Sequence, residues 1–596
     1  MKKIHYQFLT LCFIGYFILL WLKLFKIQVI DHNKYLGLAE SQHERSLQIP
    51  ARRGRILSAD GFTLVGNGTS YLLVARPKEV SNEKEAARKL TEILFEEESY
   101  TESEKKLGLG NLKLKLAGEI EEKLLKKNLF WVPIFHKITD PAKEKIEKLD
   151  LAGLGFEEEP ERYYPESRLA SFVLGFVGSN SLGVDTGYYG LEGYYNGDLK
   201  GQPGEIFEEQ SASGHPIVFG EFKRVPSQDG RDLYLTLNRS VQFIAEEGIS
   251  QGVLKYGAKS GTVIIMEPSS GAILAMASYP SFDPTLWVKM SRQMKQGDKE
   301  TNQENLFEPI IQSFQNPAIS ETYEPGSVLK ALTMSAGIAT GAVTPQTTFT
   351  DDGPIRISGY TVDNWDRKHH GLQTMTQVLE KSNNMGAAFV ARKIGAEVLR
   401  EYFLKFGLGK KLGIDLEGED TGLVKKISDF REIDLVTNSF GQGVSVTPLQ
   451  LVSVFNSIAN GGTLYKPFIV QKLVDGERVI DFKNQPIRRV LTEAKSRVMI
   501  EMLTAAAEGG EAKFFVLKKY RVAGKTGTAQ IPLAGGYDPN KTNATFVGFL
   551  PGSLKFVMLV KLKEPTTSIY AAETAVPLWM NITKELVTYM GIPPDR

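Results

Sequence analysis

The amino-terminal apolar stretch restricts what this chain can form more than any other part of its sequence. Residues 8–22 carry no charge, and apolar side chains remain frequent up to Ile30, with Lys23 and Lys26 among them. A membrane span needs about 20 apolar residues, and lysines near its end can extend their amines towards the headgroups. At ~1.5 Å per residue, residues 8–30 would form a helix of about 34 Å, which is long enough to cross a bilayer.

Three interpretations of this stretch compete: a cleaved signal peptide, an uncleaved anchor and a buried core helix. A signal peptide ends in small residues after which a peptidase can cut, whereas this stretch runs into Leu22-Lys23-Leu24-Phe25. A core helix would not need Trp21 and two lysines at its end. We therefore predict a single-pass anchor, residues 1–30, in the cytoplasmic membrane. Lys2 and Lys3 favour a cytoplasmic amino terminus, and the rest of the chain would then be extracytoplasmic.

The composition excludes several classes of function. The 596 residues include 71 Lys and Arg against 70 Asp and Glu, so no basic surplus favours a nucleic-acid partner. The single cysteine, Cys12, excludes a disulfide framework and a zinc site built on thiolates. The seven histidines have no metal-ligand spacing, and we expect the adjacent His369 and His370 to have an ordinary surface role. The sequence thus predicts no metal and no cofactor.

Changes in amino-acid composition divide the remaining chain into two parts. Residues 81–150 are rich in Lys and Glu with helical spacing of apolar residues, which is typical of solvated amphipathic helices in a non-catalytic module. Glycines and polar residues over 181–230 suggest loops that lead to a boundary near Asp229. We therefore predict a non-catalytic domain over 31–228 and a second domain over 229–596.

The second domain has the pattern of a mixed α/β (α+β) fold. The segments 263–266 and 272–277 are apolar and flank a turn, and 544–549 and 555–561 do the same near the carboxyl terminus. Such pairs predict β-hairpins, and helical periodicity occupies much of the sequence between them. We expect strands from both ends of this domain to meet in one antiparallel sheet packed by helices.

A serine and a lysine provide the first candidate for chemistry. Pro325 and Gly326 precede an apolar run, so Ser327 is predicted at a helix amino terminus, where free N–H groups favour developing negative charge. Lys330 lies three residues further and shares that helix face. A desolvated Lys330 could remove the serine proton and act as general base. The pattern alone is weak, since Ser81 and Lys84 repeat it in a charged stretch.

Two further segments carry polar groups suited to a substrate. Ser382 and Asn384 precede an apolar helix, where a loop could present a hydroxyl and an amide, although an ordinary helix cap also explains them. The segment 523–529 reads as a strand in which Gly527 permits close approach of a substrate backbone. Its Lys525 and the hydroxyls of Thr526 and Thr528 could bind a carboxylate.

In this order, the three segments resemble the Ser-x-x-Lys, Ser-x-Asn and Lys-Thr-Gly motifs of penicillin-binding proteins and serine β-lactamases. The chain is similar to class B penicillin-binding proteins over nearly its whole length, and most like the division-type FtsI family. The resemblance implies their transpeptidase fold, with an antiparallel sheet packed by helices, an elongated amino-terminal pedestal and one transmembrane helix. Further segments carry it: Arg52–Ile56, Arg162-Tyr163-Tyr164-Pro165, Gly441–Leu451 and Asn460–Gly462. Residues 81–150 do not match the family pattern.

The resemblance also implies a role for each motif residue. Ser327 would attack the bond between the terminal D-alanines of a peptidoglycan stem peptide, Lys330 would take its proton, and Ser382 would relay a proton to the leaving group. An amine of a second stem peptide would then complete the cross-link, and β-lactams would acylate the same serine. The implied substrate-binding residues are Asn384, Lys525, Thr526, Gly527 and Thr528, with the N–H groups of Ser327 and Thr528 as oxyanion hole.

Other members of the same fold fit less well. A β-lactamase would be smaller and would not need a long pedestal, and a penicillin-binding sensor should have several spans. A catalytically inactive scaffold is disfavoured by the complete set of motifs. Asn364-Trp365-Asp366 and His370-Gly371 resemble division-type enzymes, so we predict a septal role, with elongation or sporulation as the alternative. The implied partners are other division proteins and a membrane-embedded glycan polymerase of the shape, elongation, division and sporulation family.

Overall fold

A computed structural model describes residues 2–35, 44–49, 51–97, 108–179, 185–209, 222–285, 314–357, 359–515, 517–533 and 536–596. The chain forms two compact units. One combines residues 1–53 with 200–230, and the other combines residues 54–199 with 231–596.

The smaller unit contains the amino-terminal helix and a small sheet. The helix Lys2–Phe25 continues as a π-helical turn, Lys26–Ile30. Within the described residues, Ile4–Ile30 is the one helix long and apolar enough to cross a membrane, which agrees with a single-pass anchor. The sheet is antiparallel and has the order Glu44–Ile49, Gly204–Glu209, Phe222–Val225.

In the larger unit, one sheet joins strands from both predicted domains. Asp232–Leu235 pairs in parallel with Ile56–Leu57, and Arg55 reinforces this junction, since its Nη2 lies 2.7 Å from Asp232 Oδ2. All other neighbours in this sheet are antiparallel. The strand order is Arg478–Asp481, Val470–Asp475, Asp232–Leu235, Ile56–Leu57, Thr63–Ala75, Val132–Ile138, and Leu154–Tyr163 also pairs with Thr63–Ala75.

The Lys- and Glu-rich region, residues 81–150, contains three helices among its described residues, in agreement with the predicted amphipathic helices. The helices Glu83–Glu97, Leu109–Leu124 and Asp140–Glu147 have apolar faces, which pack on the sheet in a core that includes Leu73, Leu90 and Ile120. The strand Val132–Ile138 within this region was not predicted. Residues 98–107 of the region lie outside the described residues.

The second sheet has five strands and confirms that the two hairpins meet. Its order is Ile273–Tyr279, Ser260–Met266, Val557–Lys563, Gly536–Phe549, Ala523–Leu533, and every neighbouring pair is antiparallel. Successive side chains of a strand point to opposite faces. Accordingly, Val263 packs in one core with Trp579, and Ile264 packs in another with Leu332. The sheet is therefore covered by helices on both faces, and Ala523–Leu533 is left as an edge strand.

The remaining elements surround these sheets. The longer helices are Arg239–Tyr256, Lys330–Thr340, Asn384–Ile394, Ala396–Lys405, Pro448–Ala459, Glu493–Gly509 and Ala575–Tyr589. The shorter ones are Ser171–Leu174, Gly190–Tyr194, Asn196–Leu199, Pro317–Ser320, Met375–Glu380 and Glu432–Asn438. Two-stranded ribbons pair Phe176–Ser179 with Asp185–Tyr188, Thr348–Asp351 with Gly371–Thr374, Ile355–Ile357 with Tyr360–Val362, and Thr463–Tyr465 with Pro486–Arg489.

Candidate active site

Ser327 lies in a 3-10 turn, Gly326–Leu329, that leads directly into the helix Lys330–Thr340. The sequence predicted a helix amino terminus, and the structure has the tighter 3-10 turn ahead of the helix. Side chains three residues apart eclipse each other in a 3-10 helix, so Ser327 and Lys330 emerge on the same side. Ser327 is half-buried, whereas Lys330 is almost fully buried.

The strand Ala523–Leu533 passes very close to this turn. A Cβ atom on Gly527 would lie 2.6 Å from the Pro325 carbonyl oxygen and 2.6 Å from Val328 Cγ2. Real Cβ atoms do not approach other atoms so closely, so only glycine allows the strand to lie against the serine turn. Gly527 is thus needed for packing inside the protein, in addition to any contact with a substrate.

Ser382 lies between two helices in a left-handed conformation, with φ of 52°. The residue after it, Asn383, is the cap of the helix Asn384–Ile394, since its Oδ1 accepts from Gly386 N at 2.8 Å. The helix-cap interpretation is therefore right for Asn383. Capping by this neighbour leaves the hydroxyl of Ser382 available to other groups.

Two buried lysines converge on that hydroxyl from opposite parts of the chain. Lys330 Nζ donates to the carbonyl oxygen of Ser382 and lies 3.3 Å from its Oγ. Lys525 Nζ donates to the same Oγ at 3.0 Å and also lies 3.2 Å from Thr526 Oγ1. Four predicted site residues, one or more from each motif, are therefore joined by direct hydrogen bonds.

The environment of the two amines disfavours their charged forms. Burial lowers the pKa of Lys330 well below its ordinary value, and the nearby positive charge of Lys525 lowers it further. Burial also lowers the pKa of Lys525. The negative charge of Glu511 opposes both changes. A general base must be able to accept a proton, so a neutral amine suits that role.

The other predicted substrate-binding residues are hydrogen-bonded to neighbouring segments. Asn384 Nδ2 donates to the carbonyl oxygen of Asp363 at 2.8 Å, and its backbone N–H donates to Asn364 Oδ1 at 2.8 Å. Thr528 Oγ1 accepts from the backbone N–H of Ala571 at 2.9 Å. These two side chains are fixed in place, and among the described residues they do not join the hydrogen bonds around Ser382.

Comparison with known proteins assigns the family. The model of the penicillin-binding protein transpeptidase domain matches residues 261–584, and that of the penicillin-binding protein dimerisation domain matches residues 48–235. The chain belongs to the penicillin-binding protein transpeptidases.

Individual relatives agree with this assignment over most of their length. The chain is 31% identical to stage V sporulation protein D of Bacillus subtilis over 588 residues, which cover 97% of this chain and 85% of that protein. It is 29% identical to the peptidoglycan D,D-transpeptidase FtsI of Escherichia coli over 456 residues, covering 76% and 71%.

Two solved structures share the fold. A peptidoglycan synthetase of Bifidobacterium adolescentis has a TM-score of 0.69 at 24% identity, with 93% of this chain and 98% of that chain covered. Penicillin-binding protein 3 of Mycobacterium tuberculosis, complexed with aztreonam, has a TM-score of 0.66 at 24% identity, with 92% and 98% covered. The predicted family and fold class are confirmed.

This penicillin-binding protein has a buried polar network behind its second motif that sequence reasoning missed. Asp351 Oδ2 accepts from Asn383 Nδ2 at 2.6 Å, from Asn364 Nδ2 at 2.9 Å and from the backbone N–H of His370 at 3.2 Å. His369 Nδ1 lies 2.9 Å from Asp351 Oδ1. Burial alone would raise the pKa of Asp351, but the bonds from His369 and its other donors outweigh it, so the pKa is lowered.

His369 lies at the surface, as expected, but its ring also bonds the buried Asp351. Its bond to Asp351 raises the pKa of His369 above the ordinary value. The network ties the segment before the second motif, which contains Asn364, to Asn383 and Asn384. No signal in the sequence identified Asp351, which lies in a short strand with no motif around it.

Glu511 is the second residue that the sequence analysis missed. Its Oε2 accepts from Thr526 Oγ1 at 2.6 Å, so a carboxylate adjoins the third motif. Gly510 fixes this turn, since a Cβ there would lie 2.5 Å from the carbonyl oxygen of Glu380, two residues before Ser382. Only the three-dimensional packing brings Glu511 to the site.

Proposed function

We propose that this chain is a peptidoglycan D,D-transpeptidase whose acyl-enzyme forms on Ser327. The observation that carries the proposal is the convergence of Lys330 and Lys525 on the hydroxyl of Ser382. The names of the relatives support the reaction, because several of them are called peptidoglycan D,D-transpeptidase. The substrate is then a stem peptide that ends in D-Ala-D-Ala.

In the first step, Ser327 Oγ attacks the carbonyl carbon between the two D-alanines as Lys330 Nζ accepts its proton. Lys330 suits this role because burial and Lys525 favour its neutral form. The backbone N–H groups of Ser327 and Thr528 stabilise the oxyanion, and each such donor contributes about 3–4 kcal/mol in comparable enzymes. Lys525, Thr526 and Thr528 hold the terminal carboxylate, which needs charged and hydroxyl donors.

In the second step, the tetrahedral intermediate collapses and the terminal D-alanine leaves. Ser382 Oγ passes a proton to its amine, which the hydrogen bonds from both lysines support. Asn384 holds an amide of the stem peptide, and the open edge of Ala523–Leu533 offers backbone groups for pairing with an extended peptide. The amine of a second stem peptide then attacks the ester and completes the cross-link.

β-Lactams acylate Ser327 by the same route, so a fluorescent penicillin tests the proposal. Ser327→Ala should abolish labelling while the melting temperature stays close to that of the wild type. Ser335→Ala is a matched control: Ser335 lies on the following helix, is fully buried and bonds only the Ala331 carbonyl among its described contacts, so labelling should persist. Labelling of the Ser327 variant, or an adduct mapped elsewhere by mass spectrometry, would overturn the assignment.

The domain division and the membrane orientation belong to the same proposal. Residues 1–30 anchor the chain with the amino terminus in the cytoplasm, 31–228 form the pedestal and 229–596 form the transpeptidase domain. The apolar helix Ile4–Ile30 and the preceding Lys2 and Lys3 support this orientation. A protease added outside intact cells should cleave the transpeptidase domain and leave the amino terminus uncut.

We propose a septal role, in company with a membrane-embedded glycan polymerase of the shape, elongation, division and sporulation family and with other division proteins. The similarity to FtsI supports this role. The similarity to stage V sporulation protein D, which extends over 97% of the chain, favours sporulation as a second candidate. A fluorescently tagged copy at midcell during growth supports the septal role, whereas expression confined to spore formation supports the alternative.

A further inference from the structure

A carboxylate ends the chain of hydrogen bonds that starts at Lys330. Thr526 Oγ1 donates to Glu511 Oε2 at 2.6 Å, and Lys525 Nζ lies 3.2 Å from the same hydroxyl oxygen. Thr526 and Lys525 are both nearly fully buried, whereas Glu511 is half-buried. The carboxylate of Glu511 therefore contacts the buried hydroxyl of Thr526 from the side that is partly exposed to solvent.

The hydroxyl of Thr526 has only one proton to donate. In the structure that proton goes to Glu511. A ligand carboxylate that is to accept a hydrogen bond from Thr526 must first displace Glu511 from the same donor. Hydrogen bonds to charged groups are roughly twice as strong as those between neutral groups, so this competition is substantial.

The negative charge of Glu511 also disfavours binding of a ligand carboxylate. When Lys330 is neutral, as a general base must be, Lys525 and Glu511 together leave the local cluster without net charge. A neutral cluster attracts an anion much less than Lys525 would alone, and Glu511 itself repels a second carboxylate.

The backbone around Glu511 holds it near this position. Gly510 packs so tightly that a Cβ would lie 2.3 Å from the Ala506 carbonyl oxygen and 2.5 Å from that of Glu380. The turn thus lies between the helix Glu493–Gly509 and the end of the helix Met375–Glu380. Glu511 is presented to the third motif by a closely packed turn of the fold.

We propose that Glu511 is a specificity-determining residue that competes with the ligand carboxylate for the Thr526 hydroxyl and so weakens the reaction with anionic ligands. The inference rests on the proposed function, in which Lys525 and Thr526 hold the ligand carboxylate.

The test compares two acylating ligands that differ in one charge: benzylpenicillin and its methyl ester. Second-order acylation rate constants are measured for both with the full chain in detergent, by following the acyl adduct on Ser327 by mass spectrometry. In Glu511→Gln, the ratio of the acid rate to the ester rate should rise about tenfold, while the ester rate stays near that of the wild type.

Glu508→Gln is the matched control. Glu508 lies one residue before the end of the helix Glu493–Gly509, where it pairs with Arg596 and accepts from Val522 N at 3.4 Å. This substitution should leave the ratio of the acid rate to the ester rate unchanged. An unchanged or lower ratio in Glu511→Gln would overturn the inference, as would an equal loss of both rates with a lower melting temperature, which indicates a structural role. If neither compound forms an adduct on wild-type Ser327, the proposed function fails and the inference fails with it.

Discussion

Lys330 and Lys561 are both almost fully buried, yet their surroundings differ. Lys561 Nζ lies 2.8 Å from Glu321 Oε2 and 4.3 Å from the centre of the Tyr323 ring, so a carboxylate and an aromatic face stabilise its charge. Lys330 bonds the carbonyl and hydroxyl of Ser382, where its nearest charged neighbour on the same hydroxyl is another lysine.

The difference separates Lys561, a structural lysine that stabilises the fold, from Lys330, a lysine suited to proton transfer. Burial lowers the pKa of both amines, but Glu321 opposes the effect at Lys561, whereas Lys525 adds to it at Lys330. A buried ion pair resists the loss of either partner. A buried amine held beside another positive charge gains from losing its proton, which is useful to a base.

The largest expected effect on the acylation rate comes from replacing Lys330. Lys330→Met should lower the acylation rate by about 10²–10⁴-fold, the usual contribution of a general base. The melting temperature should change little, because methionine has a similar volume and places no additional polar group in the buried site. Stopped-flow acylation and thermal unfolding measure the two effects. An acylation rate within tenfold of that of the wild type would show that Lys330 is not the general base.

Removal of the structural lysine should have the opposite signature. Lys561→Met leaves Glu321 without its buried partner and should destabilise the larger unit by about 3 kcal/mol. This lies at the low end for buried pairs because Lys563 also bonds Glu321. Acylation of the folded fraction should change by less than about threefold. Thermal and denaturant unfolding measure the loss; a variant that melts like the wild type but reacts slowly would make Lys561 part of the chemistry.

The pH dependence of acylation sharpens the contrast further. Lys330 acts as a base only when it is deprotonated, so the rate should rise with pH through an apparent pKa well below that of an ordinary lysine, about 10.4. The rate should fall again at higher pH when Lys525 loses the charge that holds the ligand carboxylate. Both apparent values belong to the coupled pair. A rate that stays low until the range of ordinary lysines would contradict the lowered pKa of Lys330.

A smaller effect on acylation is expected from His369, which lies outside the Lys330–Lys525 pair. Like Lys561, it is paired with a carboxylate, in this case that of Asp351. His369→Ala should slow acylation about fivefold or less and lower the melting temperature slightly. Because Asp351 raises the pKa of His369, its stabilisation is complete below the ordinary histidine range and disappears as the pH rises through the raised pKa. The difference in melting temperature between wild type and variant should thus be larger at pH 6 than at pH 9.

His370→Ala is the control for that comparison. His370 contributes its backbone N–H to Asp351, and alanine retains this group. Equal effects of the two substitutions at both pH values would remove the special role of His369.

The parts of the fold that the sequence predicted are those encoded by local patterns. The hairpin around residues 267–271 could be predicted because a continuous apolar segment lies on each side of a turn sequence, and the strand over 523–529 because it contains the Lys-Thr-Gly motif. The strand Val132–Ile138 was not predicted, since Pro133 and the positive φ of Lys137 interrupt its alternation.

The active-site residues divide in the same way. Lys330 follows Ser327 by three positions, so helix geometry alone relates them. Glu511 and Thr526 are 15 residues apart, and Asp351 and Asn383 are 32 apart. Their side-chain bonds join separate segments and leave no periodic trace in the sequence. The sequence therefore identified the motif residues as candidates, whereas the groups that orient or oppose them became visible only in the structure.

The left-handed backbone at Ser382 has a consequence for anyone who seeks a more heat-resistant form of this protein. Residues other than glycine pay about 1–2 kcal/mol in that conformation, so Ser382→Gly is an obvious stabilising substitution. It would also delete the one hydroxyl that both lysines bind. Because Ser382 relays a proton in the proposed mechanism, a screen for thermal tolerance alone would select a change that should slow acylation, and a useful screen must measure turnover at the same time.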